Sequence, residues 1–345
     1  MKKRKRNILF ALSLPLFFAS LIILIASRIS PEFASLWVSG TSVFLKSVLL
    51  RVSNLFPFSL FELVLHLLPF TIGFWLFMLF RSGQEDLTRR FLSMLSAFLL
   101  VFSLFVNTHL VSYGVNADIQ KRDFSESELC LVLDYLLKEV NSFDEIIYPT
   151  KDELSGELYS SYERLHFPNL YLTDEVPRIK KIQNWPVASR LGVLGGYSFL
   201  TSEINVNFSA PSYTRTFTAA HEMAHLFGIA DEAEASFFAF VASVETYESG
   251  IMYSAYLSAF EYLGAELNKS NPKLFSEIYA SLSEGAKKDI SEYRSFYYEN
   301  DGKLNEASNK ANEAVLDFSD KNGENSYDAV AELLVSYIIC EKLCN

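Results

Sequence analysis

Apolar runs of bilayer length constrain this chain more than any other feature. Directly behind the basic head MKKRKR comes ILFALSLPLFFASLIILIA (8–26), and two further runs follow, FELVLHLLPFTIGFWLFMLF (61–80) and FLSMLSAFLLVFSLFVNTHLV (91–111). About twenty apolar residues cross the hydrocarbon core as a helix. Inside lipid a spanning backbone has to satisfy its own hydrogen bonds, which leaves helices as the only fit for runs of this length. The first run is long for a signal peptide and no small-x-small cleavage site stands out after it, so three spans is a simpler account than a signal peptide followed by two. The expectation is three transmembrane helices, over about 8–27, 61–80 and 91–111.

Charge separates these runs from the rest. Residues 1–112 carry four acids against eleven Lys and Arg, and residues 113–345 carry thirty-seven acids against nineteen. A basic, apolar first third joined to an acidic remainder reads as a membrane anchor followed by a water-exposed domain. That acidity excludes nucleic acid as a partner, because a phosphate backbone requires clustered Lys and Arg. MKKRKR and the short loop RSGQEDLTRR (81–90) are the basic flanks, so both are expected in the cytoplasm. The N-terminus is then cytoplasmic and residues 113–345 extracytoplasmic. Between the first two runs, FASLWVSGTSVFLKSVLLRVSNLF (33–56) reads as an amphipathic helix on the outer surface or a re-entrant element. His66 and His109, at the runs, read as packed or interfacial residues, and His166 as a loop residue.

In the polar part, SESELCLVLDYLLKEVNSF opens with a capping signature and predicts a helix over about 126–142. NLYLTDEVPRIKKI reads as a strap into a short strand. YSFLTSEINVNF (197–208) alternates and is rich in β-branched and aromatic residues, so it predicts a strand. As an exposed edge, its residues Ser202, Glu203 and Asn205 would bind an extended peptide by strand addition, the alternative being an ordinary core hairpin. Gly192, Gly195 and Gly196 lack the spacing of a phosphate loop and read as a turn.

FTAAHEMAHLFG (217–228) follows, a helix by pattern that ends on Gly228. His221 and His225 are one turn apart, so both imidazoles project from one face and can hold one ion, while Glu222 reaches the same cleft as a general base. Zinc needs a third protein ligand and an open fourth position. Of the acids that follow, Glu232 and Glu234 point in opposite directions on a helix. Glu232 is the choice because Ala235 and Ala239 continue its face with small residues, and Glu234 is the reserve. The expected chemistry is peptide-bond hydrolysis by a zinc-activated water. The rival is a non-catalytic, zinc-stabilised domain that binds an envelope partner, against which an intact Glu222 speaks.

HEMAHLFGIADEAEASFFAF (221–240) resembles the zincin metallopeptidases whose third ligand is a Glu in an E-x-x-A-[DN] helix, among them the CAAX-prenyl endopeptidase and heat-shock membrane protease group. The resemblance implies zinc on His221, His225 and Glu232, and Glu222 as base. Ser236 stands where those enzymes have Asp or Asn orienting a ligand. Over nearly its full length, the chain also resembles the bacterial membrane family labelled domain of unknown function 3810. That likeness includes PFSLFELVL (57–65), GYSFLTSEINVNF (196–208), YSAYLSAFEYL (253–263) and SNKANEAVLDF (308–318).

Residues 250–345 show helical spacing in five segments separated by capped turns, so the whole reads as a mainly α membrane protein with an α+β, mostly helical, zincin-like domain. Tyr253 and Tyr256 are candidate donors to an oxyanion. Cys130, Cys340 and Cys344 form no CxxC pair, and their redox state stays open.

Overall fold

The computed structural model describes residues 8–81, 84–115, 119, 121–308, 310 and 326–343. The basic head MKKRKR, Cys344 and much of the expected helix over 303–318 lie outside the described residues. The chain divides into two compact units, Met1–Asn116 with Ser198–Glu203, and Ala117–Tyr197 with Ile204–Asn345.

In the first unit, α1 (Ile8–Ile29), α2 (Pro31–Trp37), a π-helical turn (Val38–Ser42), α3 (Val43–Asn54), α4 (Leu60–Phe80) and α5 (Gln84–Thr108) follow one another, ending in a 3-10 turn at Leu110–Gly114. Among the described residues, four stretches are long and apolar enough to cross a membrane: Ile8–Ile29, Pro31–Asn54, Leu60–Phe80 and Leu87–Gly114. The segment expected to lie on the surface thus qualifies by length and composition. Helix α1 packs along α5. Ser13, Ser20 and Ser27, one heptad apart, are its buried residues. Ser96 and Ser103 are buried on α5 at the same spacing. Small residues let apolar helices approach closely where lipid provides no hydrophobic drive. Asn107 ties the seam, donating from Nδ2 to Ser20 Oγ at 2.9 Å and to Ser103 O at 2.7 Å.

The segment Ser198–Glu203 belongs to this unit and differs from expectation. YSFLTSEINVNF is two strands, not one, because the chain turns at Phe199–Ser202, where Ser202 takes φ 53°. Glu203 is committed to α4: its carboxylate accepts from the backbone N–H groups of Leu60 (2.9 Å) and Phe61 (2.8 Å). The hydroxyls of Ser59 (3.3 Å) and Thr201 (2.9 Å) donate to it as well. A carboxylate at a helix N-terminus satisfies orphan donors and complements the helix dipole.

In the second unit, α6 (Glu126–Asn141) and α7 (Lys151–Arg164) both open with capping boxes, Ser125 with Glu128 and Thr150 with Glu153. A three-stranded sheet follows, formed by β1 (Ile179–Lys181), β2 (Gly195–Ser198) and β3 (Glu203–Val206), with the short α8 (Trp185–Arg190) between β1 and β2. The strand order is β1-β3-β2, and β1 runs parallel to β3 with Ile179 opposite Ile204. The central strand is β3, so Asn205 does not lie on an edge. Strand β2 is an edge; Gly195 and Gly196, expected in a turn, are its first two residues, and the turn before it falls at Gly192, which takes φ 71°.

Helices α9 (Ser212–Leu226), α10 (Glu232–Val244), α11 (Ser249–Ser270), α12 (Pro272–Ala280), α13 (Glu284–Asn300) and α14 (Ser326–Tyr337) complete this unit. Helix α9 packs on α10 and α11. The core lies along α10, where every residue from Ala235 to Val244 is buried. Tyr162 on α7 pins α9 by donating to Ala220 O at 2.8 Å, and its ring meets Phe227 edge-on at 5.2 Å. Gly228 takes φ 101°, a conformation that costs other residues dearly and here turns the chain from α9 toward α10. Cys130 and Cys340 are free thiols.

Candidate metal centre

Two helices and the turn between them build the site. Helix α9 presents His221 and His225 one turn apart, and α10 brings Glu232 opposite them from its first turn. Asp231 caps α10 by accepting from the Glu234 N–H at 2.8 Å, which fixes the start of the helix beside the histidines. Three ligand-type atoms converge. His221 Nε2 lies 3.1 Å from Glu232 Oε2 and 3.1 Å from His225 Nε2, and His225 Nε2 lies 3.6 Å from the same carboxylate oxygen.

These separations fit a zinc ion. Bonds of 2.0–2.1 Å to N and O in a tetrahedron place neighbouring ligand atoms about 3.3–3.4 Å apart. The outer ring nitrogens are already engaged: His225 Nδ1 donates to Ile229 O at 2.8 Å, and His221 Nδ1 lies 3.2 Å from Ser236 Oγ. Such contacts orient a ligating imidazole and select the tautomer that leaves the Nε2 lone pair inward. Two imidazoles and one carboxylate are the donor set of an open, catalytic type of site rather than a closed structural one.

The electrostatics couple the imidazoles to the carboxylate. Burial lowers the His225 imidazole, but the Glu232 carboxylate outweighs it and holds the group at about 9. Burial raises the Glu232 carboxyl, and His225 and His221 overcome this to draw it well below its ordinary value. Taken alone, the side chains form an ion pair whose protons a metal would displace.

Glu222 lies beside the cluster, 7 % exposed. Burial raises its carboxyl, opposed by His221 and His225, and the backbone N–H of Tyr197 on β2 donates to it. Strand β2 approaches α9 closely at Gly195. A Cβ there would stand 2.5 Å from Thr218 Cγ2, 3.0 Å from Asn205 O and 3.1 Å from Glu222 Oε1. The edge strand at this site is therefore β2, whose pattern GGYS is too short to register as a strand. The glycines before YSFL were the available signal.

The remaining expected residues lie elsewhere. The Tyr253 hydroxyl donates to Asp289 on α13 at 2.6 Å, and Tyr256 is hydrogen-bonded to Tyr135 on α6, so both phenols are engaged away from the cluster. Ser202 is a turn residue, Glu203 caps α4, and Asn205 lies on the central strand with Nδ2 3.4 Å from Gly196 O.

A family described as "Protein of unknown function (DUF3810)" matches residues 39–335, most of the chain. The chain belongs to this family. No curated protein and no solved structure matches the DUF3810 chain, so its functional reading rests on the geometry of the cluster.

Proposed function

We propose that this protein is a membrane-anchored, zinc-dependent peptidase. The observation that carries the reading is the convergence of His221, His225 and Glu232 at separations matching a tetrahedral zinc site, with Glu222 buried alongside. His221, His225 and Glu232 would hold the ion. When bound, zinc supplies Lewis-acid polarisation of a carbonyl and lowers the pKa of a coordinated water. The chain's own residues do the rest. Glu222, held by the Tyr197 N–H, takes a proton from the attacking water and passes it to the leaving amine. Strand β2 offers edge backbone groups beside Glu222 along which an extended peptide can lie.

In this reading three helices cross the membrane, the segment 31–54 lies at the outer interface, and residues 113–345 face outward. The substrates are then peptides or proteins outside the cytoplasm.

Metal analysis of the detergent-purified full chain tests the proposal. About one zinc per chain is expected, lost in His221→Ala with helical content unchanged. Cleavage of a peptide library that disappears in Glu222→Gln completes the case. A well-folded chain that takes up no zinc would sink it.

A further inference from the structure

Positions 214, 218, 221, 222 and 225 of α9 share one stripe, because residues three and four apart superpose on a helix. About one turn before the histidines, this stripe lines a second feature. A cavity of about 200 Å³ opens between α9, α11 and α13 and reaches Leu194, the residue before β2. Its walls are aromatic: Phe217 meets Tyr262 at 6.2 Å, and Tyr213 meets Tyr293 edge-on at 6.2 Å. Glu261 of α11 lines it among these rings.

A carboxylate in an aromatic pocket is costly unless a cation meets it. The hydrogen bond from the Tyr213 hydroxyl, 2.8 Å long, uses Oε2 and leaves Oε1 to a ligand. Arg294 on α13 is the basic group that acts on the carboxyl, yet its guanidinium stacks over Tyr279 at 5.6 Å. Ring faces with a carboxylate recognise organic cations, and the apolar walls suit the methylene stem of a long basic side chain. The volume is below that of ordinary small-molecule sites and matches a single side chain. Gly195 lies between Thr218, which lines the cavity, and Glu222. A peptide lying along β2 therefore runs past both.

We propose that this cavity is the specificity subsite of the peptidase, taking a lysine or arginine side chain of the substrate with Glu261 as its counter-charge. The inference rests on the peptidase reading, and its test separates the two. The full-length Glu222→Gln chain, loaded with zinc in detergent, is titrated with fluorescein-labelled alanine-rich peptides carrying a single lysine, arginine or norleucine. Lysine and arginine peptides are expected to bind at least tenfold more tightly than norleucine, and Glu222→Gln/Glu261→Gln should level the three. Equal binding of norleucine, or a preference that survives Glu261→Gln, overturns the subsite. In parallel, the chain with Glu222 intact is assayed for cleavage of the same peptides. Cleavage without basic preference leaves the peptidase and removes the subsite. Glu261-dependent binding with no cleavage under any condition does the reverse. Thermal unfolding of Glu261→Gln guards against a variant that has merely lost its fold.

Discussion

At the scale of single residues, the cluster was legible because helical geometry converts spacing into position. His221, His225 and Glu222 follow from a one-turn separation. Opposed directions leave room for only one of Glu232 and Glu234, the small residues Ala235 and Ala239 on its face favour Glu232, and Glu232 is the one beside the histidines. Ser236 reaches His221 Nδ1 at 3.2 Å despite its short side chain, and in the proposed site it would orient that ligand. Ser236→Ala should weaken zinc affinity about tenfold, read by competition with a chelator, with helical content unchanged. Glu261 was not legible, because a single acid among the apolar residues of α11 carries no spacing signal and acquires meaning only when α9 and α13 close around it. Burial pushes its carboxyl up to about 7 from 4.5. The folded chain therefore holds this proton more tightly than the unfolded one, and stability falls as pH rises from 4.5 toward 7 and stays low above. Glu261→Gln keeps an acceptor for Tyr213 and removes that cost. It should raise the melting temperature at pH 8, by about 1–3 kcal/mol of stability, and change it little at pH 4.5.

Secondary-structure elements were readable where local chemistry fixes them and misread where partners do. The capping box of α6 and the glycine stop after α9 are local, and both stand where the sequence places them. The strand over YSFLTSEINVNF is not local. Its alternation is real, but Ser202 takes a left-handed turn and Glu203 leaves the peptide-binding role to cap α4. The edge passes to β2, whose glycines suppress any strand signal, and Gly195 is needed for the approach to α9. Gly195→Ala places a Cβ against Thr218 and the Asn205 carbonyl, so it should cut peptidase activity by tenfold or more while zinc content stays near one per chain. Asp231→Ala removes the α10 cap and should cost about 1 kcal/mol of stability. Because Glu232 begins that helix, the same substitution should also lower zinc affinity. An unchanged affinity would mean that α10 is held by its buried face alone.

For the whole molecule, the open choice is how many times the chain crosses the membrane, since parity decides which side receives residues 113–345. Among the described residues four helical stretches qualify by length and hydropathy, Pro31–Asn54 among them. Charge distinguishes them. MKKRKR and the loop RSGQEDLTRR are both basic, and basic flanks stay in the cytoplasm. The two lie on one side only if an even number of crossings separates them. Helices α1 and α4 supply two, so a third crossing by 31–54 would force one basic flank outward. That segment is also the least apolar of the four, with mean hydropathy 1.4 against 2.0 or more for the others, and it contains Lys46 and Arg51. It differs too in its π-helical turn at Val38–Ser42. These features suit a helix at the outer interface and three crossings in all. A C-terminal tag should then be digested by protease added to cells whose cytoplasmic membrane is intact, while a single cysteine placed at Gly83 should resist a membrane-impermeant thiol reagent. A protected tag with a labelled Gly83→Cys would give the 31–54 segment a crossing and place the metal centre on cytoplasmic peptides.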